Sequence, residues 1–171
     1  MRALIVAADG TTDEEYIYPF YRLQEAGFAV DVMTLGDGPR RGVAGVKIVP
    51  TENIEYLMDP VFEEDLLVLP GGVKAIEKLR QHKPLIDHIA AHYARGGFVA
   101  SICHGAQLLI SAGLVRGREI SGYYSIKDDI TNAGGTYVDE PAVVCDRIVS
   151  TAHYKHMAPW MAAALREVGN G

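Results

Sequence analysis

The chain has 171 residues, 49% hydrophobic and 22% charged, with a net charge of −6 at pH 7, which is enough apolar material for one well-buried core and predicts a single domain over 1–171. The acidic balance and the absence of any Lys/Arg-rich block argue against nucleic acid or an anionic membrane surface as the main partner, leaving a small-molecule or peptide substrate. The opening apolar run of MRALIVAADG is too short for a signal peptide and no later segment reaches membrane-spanning length, so a cytoplasmic protein is expected, with Cys103 and Cys145 as free thiols.

Short Val/Ile/Leu-rich runs alternate with segments of helical period. Ala3 to Ala7, Phe28 to Thr34, Leu66 to Leu69 and Phe98 to Ile102 read as buried parallel strands. The first helix opens at Thr12, with Glu15 three residues on in capping-box spacing and Pro19 as a kink. RGVAGVKIVP, from Arg41 to Pro50, reads as a hairpin or sheet-edge excursion, and one long helix is expected from Val73 to Tyr93. Beyond Phe98 to Ile102 come a helix to Ala112, a loop or short helix around Lys127, strands near Val143 and Ile148, and a last helix with Trp160, Met161, Ala164 and Val168 on one stripe. Such alternation predicts an α/β fold, a mostly parallel sheet with helices on both faces. Functional groups then gather at the carboxyl ends of the strands, at Asp9 to Asp13, Leu69 to Gly72 and Ile102 to Gly105.

Cys103 marks the richest of these ends. GGFVASICHGAQLLISAG runs from an apolar strand directly into a helix, with Cys103 at the junction and Gly105 to let the chain turn, the thiol counterpart of a nucleophile elbow. A helix N-terminus favours thiolate over thiol, so a lowered thiol pKa is expected. His104 is a candidate acid or base, although neighbours on a helix do not face each other, and its N–H with that of Gly72 is a candidate oxyanion site. Cys145, inside PAVVCDR, reads as structural.

IYPFYRLQEAG, LVLPGG, ASICHGAQLLISAGLVRGR and IKDDITNAGGTYVDE together resemble the ThiJ/PfpI superfamily, also called the DJ-one superfamily, in its PfpI-like intracellular protease branch, which is related to class I glutamine amidotransferases. The resemblance covers nearly the whole chain. It implies a flavodoxin-like three-layer sandwich, a cysteine nucleophile at Cys103 assisted by His104, a homo-oligomer of two or more copies, and neither cofactor nor metal. It also implies a glutamate just after the glycine pair Gly71-Gly72, reaching the site from a neighbouring subunit; with one inserted residue this is Glu77. The first tyrosine of Tyr123-Tyr124 is kept and is expected to line the site.

Two departures follow from the same comparison. The family's glutamate after the first strand, which hydrogen-bonds the elbow thiol, aligns with Thr12, so the carboxylic acid is expected to be lost unless Asp13 or Glu14 substitutes. Ala152 and Tyr154 stand where relatives often have an arginine and a proline, which implies a retuned pocket. Elsewhere, His88 and His92 have the spacing of metal ligands, with His82 a turn or two earlier, but a solvated helix face is the preferred reading; so are surface roles for His153 and His156. Asp128-Asp129 reads as helix capping. The leading functional expectation is a peptidase- or amidase-like cysteine hydrolase. Alternatives are a cofactor-free glyoxalase or deglycase acting on reactive aldehydes, weakened by Thr12, and a redox sensor or stress-response protein working through oxidation of Cys103.

Overall fold

The computed structural model describes residues 1–56 and 63–169. In chain order the elements are β1 (Arg2–Ala7), α1 (Asp13–Glu25), β2 (Ala29–Thr34), β3 (Arg40–Arg41), β4 (Lys47–Ile48), β5 (Glu52–Asn53), β6 (Leu66–Leu69), α2 (Val73–Leu79) and α3 (Lys83–Ala94). There follow β7 (Phe98–Ile102), a single 3₁₀ turn (Cys103–Gly105), α4 (Ala106–Ser111), β8 (Glu119–Ile120), α5 (Lys127–Asn132), β9 (Thr136–Tyr137), β10 (Val143–Cys145), β11 (Ile148–Thr151) and α6 (Met157–Gly169). The main sheet has the order β10-β11-β7-β6-β1-β2-β5. Every pairing in it is parallel except the β10–β11 edge hairpin.

Alternation along the buried strands divides the core into two layers. Leu4 and Val6 of β1 and Leu67 and Leu69 of β6 pack with Ile76, Leu79, Leu85 and Leu109 of α2, α3 and α4. Ala3 and Ile5, with Leu66 and Val68, face Leu23 of α1 and Trp160 and Met161 of α6. Both faces of the strands are therefore apolar, which is why they read as continuous hydrophobic runs. Trp160 is fully buried, and its indole N–H donates to the Val149 carbonyl at 3.1 Å. Among the described residues no helix is long and apolar enough to cross a membrane.

Arg40–Arg41 and Lys47–Ile48 form the expected small antiparallel hairpin. The expected single helix over Val73 to Tyr93 is instead two, α2 and α3. Pro84 lies in the first turn of α3, where its missing N–H costs nothing but its ring bars continuation of the preceding turn. Pro19 behaves differently: α1 runs through it and buries it.

The solvated face assigned to His88 and His92 is also corrected, since both are buried. Their rings converge on Glu64, a carboxylate from the segment before β6: His88 Nε2 lies 2.7 Å and His92 Nδ1 3.1 Å from the same oxygen, Oε1. His92 Nε2 also lies 2.8 Å from the Phe98 carbonyl, so both its nitrogens face acceptors. Burial works to raise the Glu64 pKa, but the hydrogen bonds and charge of His88 and His92 outweigh it and hold it down to about 2. The stability this group contributes is present above the unfolded glutamate pKa of about 4.3 and is lost as pH falls toward 2. Glu64→Gln is expected to destabilise the fold by about 3 kcal/mol at pH 7 by leaving buried imidazoles without their carboxylate. Urea denaturation at pH 7 and pH 3 checks this: the gap between wild type and variant narrows at pH 3.

Candidate active site

Strands β7, β6 and β1 are neighbours, so the three loops leaving their carboxyl ends lie side by side. The 3₁₀ turn after β7 presses against the end of β6: a Cβ on Gly105 would stand 2.1 Å from the Leu69 carbonyl oxygen, so only glycine fits there. Cys103 itself has φ 59°, a left-handed conformation that costs a non-glycine residue energy and is tolerated where the surrounding structure enforces it.

That backbone solves the problem posed by adjacency. With Cys103 in the left-handed region and His104 in a 3₁₀ turn, the two side chains meet, Sγ to Nδ1 at 3.3 Å. His104 Nε2 lies 3.4 Å from Ser125 Oγ, and its ring stacks on Tyr123 at 4.9 Å between centroids. The Tyr123 N–H donates to the Cys103 carbonyl at 3.1 Å, tying the expected pocket tyrosine to the elbow. Burial lowers the His104 pKa, favouring the neutral ring. A neutral ring with Nε2–H directed to Ser125 leaves Nδ1 free to accept the thiol proton.

A carboxylic acid is present after all. Glu15, in the first turn of α1, is buried, and one of its oxygens accepts the Gly71 N–H at 2.7 Å while the side chain hydrogen-bonds Cys103. The capping box inferred from its spacing does not form: the Thr12 side chain makes no cap hydrogen bond, and its N–H donates to the Gly71 carbonyl at 3.2 Å. Asp13 and Glu14 are not the substitutes. Asp13 accepts the Ala44 and Val46 N–H groups at 2.6 and 2.7 Å and anchors the β3–β4 hairpin, and Glu14 is exposed. One turn of helix beyond Thr12 carries Glu15 back toward the elbow.

The expected low thiol pKa is overturned. Burial, then the negative charge of Glu15, push Cys103 up to about 12, against hydrogen bonds from the His104 and Gly72 amides that favour the thiolate. Burial raises Glu15 to about 7. Two acids thus compete for one proton at the floor of the site. These are the two amides from which the sequence led to the expectation of an oxyanion site, and both are aimed at the sulfur.

Within one chain Glu77 stays away from the site; the expectation is that it enters from a neighbouring subunit. It lies on the exposed side of α2, its carbonyl accepting from Gln81 Nε2, and it does not line the cleft above Cys103. That cleft, of about 830 Å³, has Cys103, His104, Glu15, Thr12 and Gly72 at its base. Tyr123, His153 and Tyr154 form one wall and Arg41, Lys74 and Lys78 stand on another. His153, read as surface from sequence, belongs to an aromatic series with Tyr123 at 6.1 Å and Tyr154 at 4.1 Å. Asp128 and Asp129 sit in the first turn of α5 as expected, but without a side-chain capping bond. Cys145 is half-buried in β10, away from this cleft. Among the described residues no group of three His, Cys, Asp or Glu side chains is arranged to hold a metal.

Fold and site define a flavodoxin-like α/β sandwich with a cysteine elbow. A family model described as the DJ-1/PfpI family matches residues 1–167, and the chain belongs to that family. It is 42% identical over 163 residues to a protein named a deglycase from Pyrococcus abyssi, covering 94% of this chain and 95% of that one. It is 33% identical over 148 residues to a protein named a putative cysteine protease from Bacillus subtilis, covering 86% of each. The solved structure of a two-domain protein from Anabaena variabilis, with DJ-1/ThiJ/PfpI-like and ferritin-like domains, superposes with a TM-score of 0.92 at 29% identity; the match covers 98% of this chain and 48% of that one.

Gly71 is the contact point of the site. A Cβ there would lie 2.7 Å from Cys103 Cβ, 2.8 Å from Glu15 Oε2 and 2.9 Å from the His104 nitrogen. Gly71→Ala is expected to force these groups apart, cost about 1–3 kcal/mol and alter Cys103 reactivity, checked by thermal unfolding together with the rate of Cys103 alkylation by iodoacetamide.

Proposed function

We propose that this protein is a cofactor-free deglycase or glyoxalase-type enzyme that releases amines or thiols from their adducts with 2-oxoaldehydes, with Cys103 as nucleophile. The observation that carries this reading is the buried carboxyl of Glu15 at the Cys103 thiol, with a pKa of about 7 that suits both giving and taking a proton near neutrality. The objection raised by Thr12 falls away with it. The name of the Pyrococcus abyssi relative supports the same choice.

The chemistry is internally balanced. The Cys103 thiol passes its proton to His104, and the sulfur adds to the carbon that carries the amine or thiol. That C–N or C–S bond breaks, and the leaving group departs with the proton from His104. The resulting hemithioacetal on Cys103 gives up its C–H proton to the Glu15 carboxylate, its hydroxyl proton passes to the neighbouring carbonyl oxygen to give an enediol, and Glu15 returns its proton to the neighbouring carbon. The first carbon is oxidised to a thioester as the second is reduced to an alcohol, so no external redox partner is needed. Water then cleaves the thioester, releasing a 2-hydroxy acid and restoring the thiol. The Gly72 and His104 amides hold the oxygen that gains charge as the C–H proton leaves and as water adds to the thioester.

The cysteine-hydrolase reading, first on the elbow motif alone, has thinner support: one relative bears a protease name, and within one chain His104 is oriented by Ser125 rather than by Glu77. A part for Glu77 requires a second copy of the chain. The reading of a redox sensor that works through oxidation of Cys103 gains from an acid missing at Thr12, and Glu15 removes that added support.

With methylglyoxal hemithioacetals as substrates, Cys103→Ser is expected to abolish lactate formation and Glu15→Gln to lower kcat by about 10²–10⁴. Equal turnover by wild type and either variant overturns the proposal. Because the proton-abstracting form of Glu15 is the carboxylate, wild-type kcat/KM is expected to rise with pH through about 7. A flat profile across that range removes Glu15 as the base.

A further inference from the structure

Resting on that reading, we propose that the preferred substrates are adducts whose carrier half bears a carboxylate or phosphate, and that Lys74 and Lys78 form the subsite for that anion. In a protein of net charge −6, the cleft wall beyond Cys103 carries Arg41, Lys74 and Lys78. Among the described residues none of the three is in an ion pair. The acids lining the same cleft are Glu15, committed to Gly71 and Cys103, and Asp9, which accepts the Arg41 backbone N–H at 2.9 Å.

Lys74 and Lys78 are four residues apart on α2, where like charges face each other and repel. A bound anion relieves that repulsion. Glu77 lies between them in sequence on the exposed side of the helix and does not line the cleft. The Lys74 stem is also held in place. The Gly10 backbone, at φ 89°, packs so closely on it that a Cβ there would stand 3.0 Å from Lys74 Cβ and 3.3 Å from its Cγ and Cδ. A free three-carbon aldehyde occupies only a small part of about 830 Å³, a volume typical of sites for drug-sized ligands. The remaining space, aromatic on one side and cationic on the other, accommodates a carrier.

The test uses paired probes that differ by one anionic group. The inert S-acetonyl thioether of N-acetylcysteine is compared with that of N-acetylcysteine amide, and the S-acetonyl thioether of 4′-phosphopantetheine with that of pantetheine, binding to the full-length Cys103→Ser protein. The anionic member of at least one pair is expected to bind about tenfold more tightly at low salt, with the advantage fading toward 1 M salt. Which pair discriminates identifies carboxylate or phosphate. In the Lys74→Gln/Lys78→Gln double variant the affinity ratio is expected to collapse to about one, while Lys83→Gln on α3 keeps it. Equal affinity within both pairs, or a ratio untouched by the double variant, overturns the subsite. Because binding is read without turnover, failure of hemithioacetal turnover in the wild type sinks the enzymatic reading separately.

Discussion

The contact among Glu15, the Gly71 amide and Cys103 is where the three loops of the site are held together. Glu15 comes from α1, Gly71 from the end of β6 and Cys103 from the end of β7, and each is buried. A buried carboxyl is tolerated only with partners, and here the partners are the Cys103 thiol and the backbone that frames it. The absence of a side chain at Gly71 is what lets the three approach. Much else in the region serves this contact, including the left-handed φ at Cys103 and the glycine at position 105 that lets the turn lie against β6.

The electrostatics follow from the same geometry. A thiol at a helix start is ordinarily expected to ionise easily, but α4 is short, the sulfur is buried and a carboxyl stands beside it. The site holds back its thiolate and keeps a proton between two acids. That suits a reaction in which a proton must be moved from one carbon to the next more than one that needs only a strong nucleophile. His104, its neutral form favoured by burial, is placed on the sulfur by the strained elbow.

Several features were open to inspection in the residues alone. The apolar runs at β1, β6 and β7 identify buried parallel strands because both faces of each are covered, and the elbow is visible because strand, cysteine and glycine follow one another without a gap. The break between α2 and α3 was also legible in Pro84, which fits the first turn of a new helix and bars the preceding turn from running on, whereas Pro19 is accommodated inside α1. Glu15 was visible but misassigned. Its spacing from Thr12 fits a capping box as well as an inward-facing acid, and only the position of Gly71, 56 residues away in sequence, decides between them. The same holds for Glu64, which lies 24 residues from His88 and makes a pair of buried histidines out of what local spacing reads as a solvated face.

The sequence by itself therefore determined the layered α/β architecture, the family and the identity of Cys103 and His104 as a pair, because local hydrophobic period and one contiguous motif carry that information. Tertiary structure alone decided which carboxyl meets the sulfur, which way the thiol pKa moves and which cations face the cleft. Those depend on burial and on contacts between distant loops, where a shift of three residues along a helix separates a cap from a carboxyl at the thiol.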